Sequence, residues 1–487
     1  MTAETVFAIH NGQAFPASGP TRLSVEHFRG YVIQAVAEGL RLAAMWGTRA
    51  ETGGTLTAVL AHDDQGTLQV VTTSVQREYP SLTPACPQAE YFEREIREQS
   101  GLIPIGHPGL KSVRLGPRTT DFFAMEGDEV HEVAVGPVHA GIIEPGHFRF
   151  QCHGETVYHL EIALGYQHRG IERALVGGPD RKTIHFMETL AGDTSIGHAM
   201  AYCRAVEALS QTRVPPKAQV IRGVALELER LANHLGDLGA LAGDIGFLPT
   251  MSYCGRIRGD VLNMTAMICG NRFGRGLIRP GGVAFDLDLP LVKEMKRCAR
   301  AVLKDARSAV ELLWDAPSVM ARFDQTGALT RDVCQQIGLV GVAARACGIP
   351  RDVRSDFSYW IYRFAQIPVS TWHSGDVFAR AYVRWLEVQR SLAFIEEQLD
   401  SLPDGSVLEP LRVIRPDSSV VTLVEGWRGE ICHAATTGAN GRFQFYKVVD
   451  PSFHNWFGLA LALRNQQISD FPLCNKSFNL SYCGHDL

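Results

Sequence analysis

The chain has 487 residues, of which 45% are hydrophobic and 20% are charged, and its formal net charge at pH 7 is −5. This composition is ordinary for a globular protein, and the length predicts two to four domains. No global basic field favours nucleic acid as a partner. No run of 18 apolar residues is present, and residues 1–20 lack the positive charge of a secretion signal. We therefore expect a cytoplasmic chain that does not itself cross a membrane.

The eleven cysteines are spread along the sequence, and no two of them form a Cys-x-x-Cys pair. Such pairs are typical of local iron–sulfur and zinc sites, so the chain is expected to bind neither group and no other metal. An odd number of scattered cysteines in a cytoplasmic chain predicts reduced and mostly buried thiols.

Residues 1–24 show no strong periodicity and are expected to form an irregular lead. Residues 25–120 mix helical and strand patterns, which predicts a small α+β domain. A polar segment, residues 116–132, is the predicted boundary of this domain. Its predicted elements are a helix over 27–45, strands over 56–60 and 68–74, and a short charged helix over 91–99.

Residues 130–487 predict a second, large and mainly α domain, a helical bundle with a small β-sheet. One helix has proline near its start at Pro216 and glycine near its end at Gly243, which is the favoured arrangement. The core of a bundle can hold a cofactor, because facing helices project side chains inward. The predicted helices span 195–210, 216–243, 253–269, 289–314 and 376–402, and strands are expected at 131–135, 147–151 and within 420–450.

Several short stretches, taken in order, resemble one superfamily. The first domain is similar to the thirty-kilodalton subunit of complex I, and the second to the forty-nine-kilodalton subunit, itself similar to the large subunit of nickel–iron hydrogenases. The fused order resembles the hydrogenase-3/4 type and implies a hydrogenase large subunit-like fold. The stretches are Tyr79–Thr83, Ala89–Ile96 and Gly106–Leu110 in the first domain, and Gly136–His139, Gly165–Glu172, Ile221–Gly239, Arg279–Val283, Gly375–Leu399 and Arg428–Glu430 in the second.

The chain departs from this family at the nickel ligands, which are four thiolates in two Cys-x-x-Cys pairs. Ala191 and Thr194 stand where the first pair would be, and Cys474 and Ser477 stand at the second. A methyl group cannot bind nickel and a neutral hydroxyl is a poor ligand for it. The sequence therefore resembles most the energy-converting hydrogenase-related complexes, which keep the architecture and lack the nickel ligands.

The quinone site implied by the complex I resemblance also lacks its two hydrogen-bonding residues. Ile143 stands where a second histidine would follow His139, and Gly192 falls near the position of the tyrosine. His139 and the nearby His147 leave another mode of quinone binding open.

A proton relay is the chemistry that the resemblance implies for Glu172, with Asp193 and His139 as further candidates. A carboxyl group in a desolvated cavity has a raised pKa and can relay protons near neutral pH. The alternative for Glu172 is a structural ion pair. His198, close to the former nickel loop, is either part of the site or a satisfied core histidine.

His168 and Arg169 resemble the segment that faces an iron–sulfur cluster held by a partner subunit. The resemblance implies a small hydrogenase-like cluster subunit and membrane subunits of the antiporter-like and complex I heel types as partners. We expect the chain to lie peripherally on the cytoplasmic side of the membrane. Two hypotheses stay open: a subunit that couples electron transfer to proton or ion movement, and a non-catalytic scaffold between a cluster subunit and an ion-translocating membrane arm.

Overall fold

The computed structural model describes residues 6–114, 122–141 and 143–487. Its mixed α/β content is in line with the sequence. The predicted boundary overlaps residues 115–121, which lie outside the described residues. The strands are β1 (Ala8–His10), β2 (Ala14–Pro16), β3 (Thr21–Leu23), β4 (Arg41–Arg49), β5 (Gly54–His62), β6 (Thr67–Val75), β7 (Glu78–Pro80), β8 (Ile103–Ile105), β9 (Val130–Val135), β10 (His147–His153), β11 (Thr156–Ala163), β12 (Ile278–Arg279), β13 (Gly282–Val283), β14 (Ser418–Glu425), β15 (Glu430–Thr437) and β16 (Phe443–Val449).

The helices are concentrated between β11 and β14, and a second group follows β16. In the described residues, no helix combines the length and the apolar character needed to cross a membrane. The α-helices are α1 (Val25–Ala37), α2 (Glu90–Ser100), α3 (Ile171–Leu175), α4 (Thr183–Glu188), α5 (Ser195–Ser210), α6 (Pro216–Asp244), α7 (Leu248–Cys269), α8 (Leu289–Trp314), α9 (Pro317–Phe323), α10 (Arg331–Ile337), α11 (Gly341–Ala346), α12 (Val353–Asp356), α13 (Val377–Asp400), α14 (Pro451–Ala462), α15 (Phe471–Phe478) and α16 (Tyr482–Asp486).

The N-terminal sheet has the order β1-β6-β5-β4, and β3 pairs with β6 in parallel. The strands predicted at 56–60 and 68–74 are confirmed as β5 and β6. The helix predicted over 27–45 is wrong in its second half, because α1 ends at Ala37 and residues 41–45 belong to β4. Gly39, with φ of +105°, has a backbone conformation that a helix does not continue through.

Residues 1–24 are not an irregular lead, and this expectation is wrong for the described part. Three short strands lie here: β1 and β3 join β6, whereas β2 pairs with β14, so that Phe15 lies opposite Ser419. Such short strands show no periodicity of their own, since pairing with a distant strand stabilises them. The lead therefore connects the N-terminal sheet to the sheet near the C-terminus.

The helical region is built around α6, which packs against α7 and α13, and α7 packs in turn on α8. The predicted helices are present, and those over 195–210 and 289–314 match the sequence prediction residue for residue. The four-stranded sheet β16-β15-β14-β2 lies beside this bundle, and α5 packs on β14 and β15. Strands β9 and β10 are confirmed, and β11 completes their sheet.

Ion pairs join the N-terminal sheet to the rest of the molecule. Arg41 of β4 binds Asp63 at 3.0 Å and also binds the carboxylate of Glu430 on β15, and all three side chains are mostly buried. Burying charges is costly unless they are paired and hydrogen-bonded, and here the pairing is complete across the junction. This contact fixes β15 relative to the N-terminal sheet.

Candidate functional site

The loop between α4 and α5, residues 189–194, contains Ala191 and Thr194, the positions predicted to correspond to the family's first pair of nickel ligands. Asp193 is bound at both carboxylate oxygens by Arg428, which lies in the turn between β14 and β15. The Thr194 hydroxyl donates to Asp193 at 3.0 Å and accepts from the Trp427 indole at 3.1 Å. The Asp193–Arg428 ion pair, supported by Thr194 and Trp427, thus holds the C-terminal end of the loop.

Each residue of this ion pair stabilises the charged form of the other. Burial opposes ionisation of the Asp193 carboxyl, but the Arg428 guanidinium outweighs it and lowers the pKa. Burial likewise opposes the charge of Arg428, and Asp193 nevertheless raises the pKa of the guanidinium. The amide of Asn233 on α6 and the indole of Trp427 both donate to the Asp193 carbonyl, so the backbone is fixed as well. Asp193 is therefore a firmly held carboxylate at neutral pH.

The prediction that Cys474 and Ser477 complete the former ligand set at this loop is wrong. Both side chains are fully buried on α15, where Ser477 accepts a 2.8 Å hydrogen bond from Arg380 and Cys474 packs beside Gly327. Their partners belong to α13 and to the α9–α10 connection rather than to the loop. The spacing between Asp470 and these residues differs from that of the family's second cysteine pair. The sequence alone therefore could not determine which residues correspond to that pair.

The C-terminal residues that do approach the loop are Asn479 and Cys483. Arg428 donates to the Asn479 carbonyl, and the Cys483 thiol interacts with the Gly192 backbone. Burial raises the pKa of Cys483 to about 12, so this thiol is protonated at neutral pH. A protonated thiol is a poor metal ligand, because the thiolate is the binding form. Ala191, Thr194 and Cys483 together do not provide the four thiolates of a nickel–iron centre.

Glu172 does not have the raised pKa expected of a proton relay. Its carboxylate accepts from Lys447 at 2.9 Å, from Arg114 at 3.1 Å and from the Val448 backbone at 3.0 Å. Burial opposes ionisation, but the charges of Lys447 and Arg114 and these hydrogen bonds lower the pKa to about 2. The alternative considered above, a structural ion pair, describes Glu172 correctly. It joins α3 to β16 and to the segment after β8.

The three relay candidates do not contact one another in the described structure. His139 lies in the β9–β10 hairpin, where its Nε2 is 2.8 Å from the Gly146 carbonyl oxygen. His147 contacts the Gly136 carbonyl through Nδ1, and its buried Nε2 has no hydrogen-bond partner among the described residues. Both rings therefore contact the backbone of the hairpin, and Nε2 of His147 is left without a hydrogen bond from the described residues.

His168 and Arg169 are both exposed, next to the start of α3. Arg169 donates to the carbonyls of Thr189 and Leu190 at 2.9 and 2.8 Å, and His168 Nδ1 lies 2.8 Å from the Asp486 carbonyl. Arg169 precedes α3, so it does not share a helix face with Glu172. The two residues hold the former nickel loop to the C-terminal segment, and their orientation toward a partner's cluster stays a prediction.

Glu229 on α6 was not identified from the sequence. Its carboxylate accepts from the backbone N–H groups of Ile196 and Gly197, at 2.6 and 3.1 Å, and so caps the start of α5. Burial raises its pKa to about 8, and the charge of Asp193 adds to the rise. Glu229 and Asp193 border a cavity of about 10 Å³, the room of one water molecule. No signal in the sequence separates Glu229 from the other acidic residues of α6, such as Glu227 and Asp237.

His198 proves to be part of a buried array of polar side chains. Its Nε2 lies 3.0 Å from an Asp450 carboxylate oxygen, and its Nδ1 lies 3.1 Å from Nε2 of His433. The other nitrogen of His433 is 2.9 Å from the Tyr446 hydroxyl. All four side chains are at most 2% exposed. The sequence could not bring them together, because they come from α5, β15, β16 and the residue before α14.

Comparison with known proteins identifies the family. The family model of the respiratory-chain NADH dehydrogenase 49 Kd subunit matches residues 244–417, and that of the 30 Kd subunit matches residues 35–126. Formate hydrogenlyase subunit 5 of Escherichia coli is 29% identical over 85% of this chain and 78% of its own length. Hydrogenase-4 component G of Escherichia coli is 31% identical over 83% and 75%, and the carbon monoxide-induced hydrogenase of Rhodospirillum rubrum is 30% identical over 72% and 97%.

The chain therefore belongs to the family of the respiratory-chain 30 Kd and 49 Kd subunits and related hydrogenase large subunits, in the fused form. This places it in a class of oxidoreductase subunits. The resemblance inferred from the short motifs is thereby confirmed.

Proposed function

We propose that this chain is the hydrogenase-like subunit of a complex I-related, membrane-associated oxidoreductase, that it holds no nickel–iron centre, and that it couples electron transfer to proton or ion movement. The observation that carries the proposal is the composition of the former nickel loop. Ala191 and Thr194 replace one thiolate pair, and the Asp193–Arg428 ion pair braces the loop instead. A firm carboxylate–guanidinium pair places fixed charges at the loop, and it does not provide the thiolates that bind a soft metal.

In this proposal the proton relay expected at Glu172 is instead Glu229. Its pKa of about 8 lies close to neutral pH, where a general acid or base is most effective. A negative charge added nearby would raise this pKa further, so that electron arrival and proton uptake would be linked. Asp193 lies beside the same water-sized cavity and stays ionised.

Membership of the family and the exposed residues near this loop support a proposal for the partners. A small hydrogenase-like subunit would bring its iron–sulfur cluster against His168 and Arg169, and antiporter-like and complex I heel-like subunits would anchor the assembly on the cytoplasmic face of the membrane. A quinone fits the family as electron acceptor. Nδ1 of His147 donates to the Gly136 carbonyl, so the buried Nε2 of the neutral ring is an acceptor, and it has no partner among the described residues. This nitrogen could accept a hydrogen bond from the hydroxyl of the reduced quinone.

A second candidate is the non-catalytic scaffold. The ion pairs of Glu172 with Arg114 and of Arg41 with Glu430 favour it, since both join distant parts of the chain. The two candidates differ in what a mild change at the former nickel loop would do. A scaffold needs only its shape, whereas a coupling subunit also needs a group that ionises.

The test uses the complex purified in gentle detergent and reconstituted in vesicles. We expect elemental analysis to find iron but no stoichiometric nickel, and about one nickel per chain would contradict the first half of the proposal. Glu229→Gln should leave assembly intact and strongly reduce ion translocation driven by electron transfer. Glu396→Gln, at an exposed ion pair on α13, is the matched control. Normal translocation by the Glu229 variant would favour the scaffold.

A further inference from the structure

A cavity of about 1150 Å³, open to solvent, shares no lining residue with the former nickel loop or with Glu229. Four segments of the chain line it: the β1–β2 turn, the second half of α5 with the start of α6, the α12–α13 connection and the α13–β14 connection. Small-molecule sites usually have volumes of about 300–1,000 Å³. This cavity therefore has room for a ligand and not only for water.

Most of the charged residues that line this cavity are cations. The four arginines among them are Arg204, Arg213, Arg363 and Arg412. The two acidic residues are Glu207 and Glu409, and the carboxylate of Glu207 is already bound by Arg222 at 3.1 and 2.6 Å. Among the described residues, no carboxylate lies within ion-pair distance of any of the four arginines. An excess of positive charge without its own counter-ions favours an anionic ligand.

Arg204 differs from the other three arginines because its side chain is buried, with 6% of the residue exposed. Its guanidinium donates to the carbonyls of Leu423 and Asn11 at 2.5 and 3.5 Å, which uses two of its five N–H donors. Burial lowers the pKa of Arg204 to about 10, so the group is still charged at neutral pH. A buried charge usually has a partner of opposite charge, and the described residues place none in contact with this guanidinium.

The guanidinium end of Arg204 lies at the cavity wall, because four residues in contact with it also line the cavity. Its Cζ lies 4.0 Å from the ring centre of Tyr359 and 5.4 Å from that of Trp360. The Asn11 carbonyl accepts a hydrogen bond from it, and a Cβ atom at Gly12 would lie 3.1 Å from its Nη2. Stacking on the two rings holds the guanidinium in one orientation, which reduces the entropy that a ligand would lose on binding.

The start of α6 adds a second, independent preference for negative charge. Pro215, Pro216 and Gln219 line the cavity at the first turn of this 29-residue helix. No side chain caps this helix start in the described structure. The N–H groups of a first helical turn point away from the helix, and the helix dipole makes this end positive. The start of such a helix is a common position for a bound phosphate.

We propose that this cavity binds the phosphate group of a small molecule, with Arg204 in its wall and the exposed arginines Arg213, Arg363 and Arg412 around it. Guanidinium groups bind phosphate oxygens through pairs of parallel hydrogen bonds. A phosphate group carries up to about two negative charges near neutral pH, whereas a single carboxylate would balance only one of these cations. The phosphate can belong to a soluble molecule or to a lipid head group, since both present the same oxygens.

The test titrates the purified full chain with inorganic pyrophosphate in a calorimeter, in buffer without phosphate. We expect one site per chain, with an affinity that falls as the salt concentration rises. Arg204→Met and Arg363→Gln should each weaken binding by roughly tenfold or more. Arg363 is exposed, so its variant keeps the fold and decides the test if the Arg204 variant does not fold. Arg307→Gln, at an exposed arginine of α8 outside the cavity, is the matched control and should bind like the unmodified chain.

Flotation with vesicles separates the two sources of the phosphate. Binding to vesicles that contain phosphatidic acid, but not to pure phosphatidylcholine vesicles, supports a lipid head group if Arg363→Gln abolishes it and pyrophosphate competes with it. Pyrophosphate binding without vesicle binding supports a soluble phosphate.

Three results would overturn the site. The unmodified chain binds neither pyrophosphate nor the acidic vesicles, or it binds them and the arginine variants bind equally well. In the third, only a glutamate-rich peptide binds and the variants weaken it, which would assign the cavity to an acidic segment of a partner protein. None of these results bears on the coupling function, because ion translocation is measured separately.

Discussion

The two terminal nitrogens of Arg428 each lie 2.7 Å from a different carboxylate oxygen of Asp193. The guanidinium is almost fully buried, whereas about a third of the carboxylate side chain is exposed. A bidentate pair of this kind has a fixed geometry as well as a favourable energy. The pair lies at the loop in which Ala191 and Thr194 replace the family's first pair of nickel ligands.

We expect Asp193→Asn to lower the free energy of unfolding by about 1–3 kcal/mol, because it leaves the buried Arg428 charge without its carboxylate. Thermal unfolding of the purified protein measures this. Asp260→Asn is the control, since Asp260 and Arg256 form a pair in which both side chains are nearly half exposed. It should change stability by less than about 1 kcal/mol. Equal effects from the two variants would contradict the role given to the Asp193 pair.

Glu229 should make the protein less stable as pH rises. Its pKa is about 8 in the folded chain against an ordinary 4.5, so the folded state holds a proton that the unfolded state has released. Stability from this group is lost between about pH 4.5 and about pH 8. Glu229→Gln stays neutral, so its melting temperature should match the unmodified protein at the acid end and exceed it above pH 8. A melting temperature below that of the unmodified protein throughout would contradict the assignment.

Glu172, unlike Glu229, should make the protein more stable as pH rises. Its folded pKa of about 2 lies below the ordinary 4.5, so it contributes stability above pH 4.5 that is lost as pH falls toward 2. Glu172→Gln should cost about 3 kcal/mol at neutral pH, since two buried cations, Lys447 and Arg114, would be left with Glu95 as their one shared anion, and the cost should shrink below pH 4.5. Glu161→Gln, at the partly exposed pair with Lys111, is the control. Unchanged stability of the Glu172 variant would revive the relay interpretation.

Gly484 should not tolerate a side chain. A Cβ atom at this position would lie 2.7 Å from both Cγ and Oδ2 of Asp450, closer than real Cβ contacts. We expect Gly484→Ala to cost about 1–3 kcal/mol through overpacking and to disturb the contact between Asp450 and His198. Gly255→Ala is the matched control, because a Cβ there meets open space on helix α7 and should add up to about 1 kcal/mol. Melting curves of the two variants should move in opposite directions.

The long helices could be predicted because their signals are local. The helix over 289–314 begins where Asp288 caps it and follows an amphipathic pattern to its end. Residues 41–45 were misjudged because a short apolar run fits a helix or a strand, and only pairing with β5 decides. The strands β1, β2 and β3 carry no such signal, since each owes its conformation to a strand distant in sequence.

At the site, the sequence located the loop but not its chemistry. Asp193 and Thr194 were placed at the former nickel position, and the structure gives Arg428 as their partner. The charge state of Glu172 could not be predicted, because its partner Lys447 is 275 residues away in the chain. The contacts of His433 could not be predicted either, because its partners are also distant in the chain. Strand pairing and the packing of α5 on the sheet bring them next to His433.

The pairing of β2 with β14 has a consequence for biosynthesis. Phe15 leaves the ribosome long before Ser419, the residue opposite which it finally lies. At a synthesis rate of roughly 5–20 residues per second, this strand waits for roughly 20–80 seconds without its partner. The sheet β16-β15-β14-β2 therefore cannot be completed until the C-terminal part of the chain has been made. The last sheet of the protein is thus completed by one of its earliest segments.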